Sequence, residues 1–529
     1  MDFNDMILKR RQFLSGLAMG AAAASISSPW RGSAFAAVPK FVNDPFSLGV
    51  ASGDPTSDGF VLWTRLAPNP LDIEPFTQDL VEVLCEIAED DKFTKIVRRQ
   101  TEIARPDNAH CVHAEITGLL PNRQYFYRFR VAGIVSQTGR TKTAQGIGMP
   151  LDKYKFAWLS CAHYEHGLYT AYGDIAKQNP DLVLGLGDYI YEVSYGPQMR
   201  RMPVEEAWSL DDYRLIYGAT KMDKDLQEAH RVAPWNFIWD DHEVANDYQG
   251  DIGKVMPGFD QKEFLNRKHA AYKAFFEHLP LRSRARFDAA KRMRIYGQST
   301  HGNLVEFTML DTRQYRDRAA CPSEGRYEAE LVSRATCTEL TDKNRSILGA
   351  RQERFLSEQF MRGNTKWSIL VQPTLFGTVF QKNNKGDWSA YNDGWSGFEP
   401  ARQKIIDMMS RRKKDSQCAI IGGDVHAFFA GDVKMDYNDP KSETVAVEFV
   451  GGSITSKSYN YERFMKMLPD NPHLKFFDDR TNGYGLAEVS DKILDVKLRH
   501  TKSTWQRDAG FSNLKHYVVE RGQNSLKEA

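Results

Sequence analysis

Apolar and polar positions change rhythm near residue 149. From residue 46 to 145, apolar side chains alternate with polar ones or run as short β-branched and aromatic stretches: Gly59-Phe60-Val61-Leu62-Trp63-Thr64-Arg65-Leu66, Leu80 to Ile87, Cys111 to Ile116 and Tyr125 to Val131. A period of two is the repeat of a strand, and the Pro, Asp, Asn and Gly between these runs supply turns at the spacing of a β-sandwich. Beyond Met149-Pro150, short apolar strands alternate with amphipathic helical stretches, which predicts an α/β core. Nothing in the first region looks catalytic, so packing or flanking a substrate is the role expected of it.

In the second region each predicted strand stops at a reactive side chain. Phe156-Ala157-Trp158-Leu159-Ser160 ends at Cys161, Leu182-Val183-Leu184-Gly185-Leu186-Gly187 at Asp188, and Phe237-Ile238-Trp239 at Asp240-Asp241-His242. Leu304 to Leu310 runs into Asp311-Thr312-Arg313, and Ala419-Ile420-Ile421-Gly422-Gly423 into Asp424-Val425-His426. Open α/β sheets place their sites at the carboxyl ends of strands, where the sheet fixes the strand end and the following turn exposes its side chains. A carboxylate from Asp188, a phenolate from Tyr191 and a thiolate from Cys161 would form a hard, anionic pocket suited to a trivalent ion. Asp424 and His426 add a carboxylate and an imidazole. Taken singly, Tyr191 reads equally well as a packed aromatic, Cys161 as a buried hydrophobe and Asp240-Asp241-His242 as a capped helix start.

Composition narrows the setting. The 529 residues include 70 Lys and Arg against 69 Asp and Glu, a net charge of +1, so nothing favours a polyanion and no stable nucleic-acid partner is expected. At the N-terminus, Lys9-Arg10-Arg11-Gln12-Phe13-Leu14 precedes an Ala/Gly-rich apolar run and the small-residue site Ala34-Phe35-Ala36. The run falls short of the ~20 apolar residues that span a bilayer, which argues against a membrane anchor. The segment resembles a twin-arginine export signal over residues 1–36. That resemblance implies passage through the twin-arginine translocation machinery in the folded state, a periplasmic or secreted product, and no integral membrane association after processing. Export also bears on the six cysteines. An oxidising compartment allows Cys321 and Cys337 to staple a polar loop, whereas Cys85 and Cys111 lie in strand-like stretches that suit buried thiols.

Phe46-Ser47-Leu48-Gly49-Val50-Ala51-Ser52-Gly53-Asp54-Pro55, Gly187-Asp188-Tyr189-Ile190-Tyr191-Glu192, Trp239-Asp240-Asp241-His242-Glu243, Leu310-Asp311-Thr312-Arg313-Gln314-Tyr315-Arg316 and Gly422-Gly423-Asp424-Val425-His426 together resemble the PhoD-like alkaline phosphatases over roughly residues 46 to 500. The resemblance implies a β-sandwich of fibronectin or immunoglobulin type over 37–148 and a metallophosphatase-like catalytic domain over 149–529. Leu120 to Arg128 is similar to the tyrosine-corner stretch of fibronectin type III domains. It further implies hydrolysis of phosphate mono- and diesters with Fe(III) and Ca(II), by in-line attack of a metal-bound hydroxide or oxo group. Cys161, Asp188 and Tyr191 would hold the iron, Asp188 also bridging toward calcium. Asn246 would be a calcium ligand, and Asp424 and His426 would complete the cluster. Asp188, His426 and Arg267 are the residues expected to carry catalysis, Arg267 by gripping phosphate oxygens from a helix on which it reads equally well as a solvated arginine. His242 and Arg313 are expected to support the ligands. The Gly-Asn-His element of the wider metallophosphoesterase superfamily is replaced by Asp240-Asp241-His242, with Asn246 downstream. A phospholipase D-type phosphodiesterase and a non-catalytic metal- or phosphate-binding protein are the alternatives.

Overall fold

The structure is a computed structural model that describes residues 39–196, 198–285, 292–412, 415–458 and 461–529, so the export segment lies outside the described residues. The apolar strands of the second region build two sheets. In the first, Lys153–Leu159, Leu182–Leu186, Pro234–Ile238 and Val50–Thr56 run parallel at the centre of ten strands. In the second, Val305–Met309, Trp367–Val371, Gln417–Gly422 and Thr444–Gly451 run parallel at the centre of seven.

The period of two sorts the side chains onto faces. Ile369, Val371, Ala419 and Ile421 pack with Phe156, Trp158 and Phe307 in one core that joins the two sheets. Their neighbours Leu370 and Ile420 point the other way, against Leu356 and Phe360 of the Gly349–Arg362 helix and Ile405 and Ile406 of the Glu399–Ser410 helix. The Thr170–Gln178, Leu210–Lys221 and Gln261–His278 helices pack Tyr172, Ile216 and Phe275 into the first core. The expected layered α/β core is the one observed.

The N-terminal region is all-β, as its alternation predicts. Ile96–Ala104, Val81–Ala88 and Gln124–Val131 form one face of a sandwich, and Phe60, Leu62, Val83, Ile87, Ala114, Tyr127 and Phe129 fill it. Tyr125 closes the expected corner, its hydroxyl accepting the Leu120 N–H at 3.1 Å. The other face, however, belongs to the core: Val50–Thr56, Gly59–Arg65 and Cys111–Ile116 extend the ten-stranded sheet through the parallel register Ser52↔Pro234 and Gly53↔Trp235. The division expected after residue 148 is therefore a change of architecture within one continuous sheet. Cys321 and Cys337 form a disulfide across 16 residues, and Cys85, Cys111, Cys161 and Cys418 are buried free thiols.

Candidate metal centre

The strand ends of the two sheets meet at one place. Gly187, at φ +98°, lets the chain turn where any Cβ would stand 2.4 Å from the Asp240 amide nitrogen. Gly423 does the same between sheets, where a Cβ would meet the Ser160 hydroxyl at 2.3 Å. These close approaches bring Cys161, Asp188 and His426 together, then Asp188, Asp241 and His242, then Asp240, Asp241 and Asp424, the ligand atoms of each trio lying within 4.8 Å of one another. Cys161, Asp188, Asp424 and His426 all hold left-handed backbone conformations, φ +50° to +64°, which cost a non-glycine residue about 1–3 kcal/mol each and collect at functional sites.

Hydrogen bonds fix this arrangement. The Glu243 carboxylate accepts the N–H groups of Asp188 (3.1 Å), Tyr189 (2.7 Å) and Asp240 (2.9 Å), tying two strand ends to one buried group. The Tyr191 hydroxyl lies 3.1 Å from Asp188 Oδ2, 3.0 Å from His426 Nε2 and 2.7 Å from the Ser456 hydroxyl. His426 Nδ1 lies 3.0 Å from the Lys457 carbonyl, which accepts only from a protonated nitrogen, and burial brings the imidazole pKa down to about 4. His426 is thus neutral at pH 7 with its Nε2 lone pair facing Tyr191. Thr374 donates to Asp424 Oδ2 at 2.7 Å.

The charge at the site is unevenly met. Burial pushes the Asp188 and Asp240 carboxyls far above the usual range and Asp424 up to about 7. Burial acts on Asp241 too, but Arg313 and His242 bring it down to about 2. The Arg313 guanidinium, itself buried, reaches Asp240, Asp241 (3.5 Å) and Asp393 (2.7 Å). Burial opposes charge on His242, yet Glu192, Asp241 and Asp188 hold it protonated well above its ordinary pKa, with Nδ1 2.7 Å from Glu192. On the other side, burial and neighbouring Asp188 push the Cys161 thiol and the Tyr191 phenol upward, with no basic side chain among the causes. Among the described residues, Asp188 Oδ1, Asp240 Oδ2 and Asp241 Oδ1 are buried without a hydrogen-bond partner. Orphaned carboxylate oxygens converging with a thiol, a phenol and an imidazole are the donor set of a cation site.

Five of the seven residues singled out from sequence, Cys161, Asp188, Tyr191, Asp424 and His426, come together here. Asn246 stands at the edge, its N–H held by Glu192 at 2.7 Å and its side-chain amide donating to Asp247 at 3.2 Å. Arg267 does not join them. Its guanidinium is buried, donates to the Tyr213 hydroxyl and to Glu206 at 3.2 Å each, and stacks 3.9 Å from the centre of the Trp208 ring. It is a buried arginine rather than a solvated one, and its Nη1 is left without a hydrogen-bond partner among the described residues. Sequence reasoning missed Asp240 and Asp241 as ligands and Glu243 as their anchor; the signal available was the polar run that follows Pro234–Ile238.

Two parallel-centred sheets packed face to face, with a buried cation-binding cluster at their strand ends, define a metallophosphatase-like α/β protein. The family described as "PhoD-like phosphatase" matches residues 156–498, and "PhoD-like phosphatase, N-terminal domain" matches residues 32–145. "Alkaline phosphatase D" of Bacillus subtilis (strain 168) is 36% identical over 546 residues, 99% of this chain and 90% of that protein. A solved structure, "Structure of PhoD", superposes with a TM-score of 0.85 at 36% identity over 93% of each chain. The chain belongs to the PhoD-like phosphatase family.

Proposed function

We propose that this protein hydrolyses phosphate mono- and diesters at the strand-end cluster, with Fe(III) held by Cys161, Asp188, Tyr191 and His426 and Ca(II) held by Asp188, Asp241, Asn246 and Asp424. The observation that carries the reading is the set of orphaned carboxylate oxygens, Asp188 Oδ1, Asp240 Oδ2 and Asp241 Oδ1, in a buried cluster. A phosphoric ester hydrolase is what family membership makes of the chain. When bound, such a cation pair supplies Lewis acidity for activating a nucleophile and neutralising phosphate oxygens.

The chain's own groups supply position. Glu243 fixes the Asp188 and Asp240 strand ends, Arg313 orients Asp240 and Asp241, and Ser456 and Asp188 orient the Tyr191 hydroxyl. His426 presents an unprotonated Nε2 because its Nδ1–H donates to the Lys457 carbonyl. His242 adds positive charge beside Asp188 and Asp241. A soft thiolate with hard oxygen donors suits iron at the first group, and oxygen donors alone suit calcium at the second. Twin-arginine export to the periplasm or beyond is supported by Lys9 to Leu14 and Ala34-Phe35-Ala36. No helix of the described residues is long and apolar enough to cross a membrane.

The test is elemental analysis with visible absorption on protein purified from its native compartment. Iron and calcium should both be present, and a phenolate-to-Fe(III) band should colour the protein and vanish in Tyr191→Phe. A colourless, fully active, metal-replete protein would overturn the iron assignment. Turnover of a monoester, a diester and a phospholipid then ranks the substrates.

A further inference from the structure

Beside Asp424 the surface opens into a cleft of ~430 Å³ that the hydrolytic chemistry does not require. Its inner end is polar, where Thr374 donates to Asp424 Oδ2. From there the lining includes the apolar Leu375, Val379, Phe429, Phe464, Met467 and Phe477. Leu375, Phe429 and Phe477 belong to a small cluster separate from the cores between the layers. The Tyr461–Met467 helix lies over that cluster with Phe464 stacked 4.0 Å from Phe477 and edge-on to Phe429 at 5.2 Å, yet no residue of the helix is fully buried. Phe464, Met467, Val379 and Val425 are all left half-covered. An apolar wall that stays partly wet, opening onto a candidate metal ligand, is the arrangement of a binding subsite, in which a few polar groups fix one end of a ligand and apolar side chains hold the other.

The charged groups of the lining are Asp424, Arg463 and Asp479. Arg463 is exposed, and Asp479 is engaged by the Ser458 hydroxyl at 2.6 Å. A charged substituent lying against Leu375, Phe429, Phe464 and Phe477 would shed hydration there, whereas an apolar one would gain by leaving water.

We infer that this cleft is a specificity subsite for an apolar ester group, so that the protein favours phosphodiesters carrying an aryl or alkyl alcohol on one side. The inference rests on the phosphoesterase reading and narrows it to a substrate class. Phe464 is its specificity-determining residue, because its ring forms the wall facing Phe429 and Phe477 and contributes no ligand to the cluster.

The experiment uses the metal-replete protein and 4-nitrophenyl diesters in which the second alcohol is methyl, butyl or phenyl, so that the leaving group stays constant. kcat/KM should rise along the series by about tenfold or more, mostly through KM, a discrimination typical of apolar pockets. Phe464→Ala should collapse the phenyl-to-methyl ratio, and Met467→Ser provides the same reading if the first variant fails to fold. Calorimetric binding of phenylphosphonate against methylphosphonate should show the same preference without turnover. A flat series in the unaltered protein, or a Phe464→Ala variant that loses both esters equally, would overturn the subsite. A butyl ester favoured over the phenyl ester would support the subsite with an alkyl occupant. Absence of turnover on every ester would overturn the phosphoesterase reading itself, a result distinct from a flat series.

Discussion

The acidic cluster at the strand ends and the environment of Lys221 are buried to the same degree, Asp188 being 1% and Lys221 2% exposed, but they handle their charge differently. The Lys221 ammonium lies 4.2 Å over the Trp63 ring and 5.5 Å over that of Tyr189, and burial brings its pKa down to about 7. Its neighbours His230 and His278 are kept neutral by burial. Aromatic faces and a ready loss of the proton satisfy that cation where it stands. At the strand ends the acidic groups converge instead, and three of their oxygens accept no hydrogen bond. Burial and a displaced pKa are common to both regions, so neither marks a site; convergence of like groups on orphaned atoms does.

The largest test of this contrast is Asp188→Asn. Asp188 stands in two of the three ligand trios. Its loss should lower kcat/KM on the order of 10³-fold or more, beyond the ~10–100-fold typical of residues that only support a metal ligand, with metal per folded molecule falling in elemental analysis. Lys221→Met should leave metal content unchanged; a fall there would break the distinction.

Two buried thiols sharpen it. Cys161→Ser should reduce iron content and turnover far more than it lowers Tm, since a neutral hydroxyl replaces a thiolate donor. Cys418→Ser, in a strand of the second sheet, should keep metal and turnover and lose only on the order of 1–3 kcal/mol of stability, seen in denaturant titration.

Arg313→Gln addresses the arginine that pairs with Asp240 and Asp241. It leaves Asp240 and Asp241 without their buried guanidinium, while Asp393 keeps Arg316 at 3.0 Å, and breaking such pairs costs about 3–5 kcal/mol. The loss should be deepest in chelator-treated protein and partly recovered when metal is restored, because a ligand of the folded state stabilises it.

Lys221→Met moves no metal and is read in stability alone. Between the folded pKa of about 7 and the ordinary 10.5, the unfolded chain holds a proton that the folded one lacks, so stability rises with pH across that window and the penalty is full below it. The variant should therefore melt above the parent below pH 7, with the difference shrinking toward pH 10. A pH-independent difference would mean that Lys221 is not the titrating group.

How much of this could be read from the chain depends on how local each signal is. Leu182–Leu186 and Gln417–Gly422 are apolar runs that stop at an aspartate, and period and stop are visible within a few residues. Cys161, Asp188, Asp424 and His426 are found for that reason. Glu243 is not, because it accepts from the Asp188 and Tyr189 amides 55 and 54 positions before it, and nothing in the local pattern records that meeting. The surroundings of Arg267 are hidden for the same cause: a helical position does not say which neighbour it faces, and Tyr213 and Glu206 arrive from 54 and 61 residues upstream. The sandwich is legible strand by strand, whereas the parallel pairing that welds Ser52 to Pro234 is a property of the assembled sheet.

That sheet also sets an order in time. Lys153–Leu159, whose end carries the turn to Cys161, has Leu182–Leu186 on one side and Asn482–Ser490 on the other, in register from Tyr154↔Val489 to Trp158↔Gly485. Pairing over so long a stretch of chain is slow, since loop closure must precede the contacts that reward it. A chain emerging from its N-terminus can fold the sandwich early, yet it cannot close the central sheet until Asn482–Ser490 has been made. The cluster is thus a late product of synthesis: a truncated or stalled chain presents folded β-structure with an unfinished hydrolytic centre, and chemistry begins only once the whole length is in place.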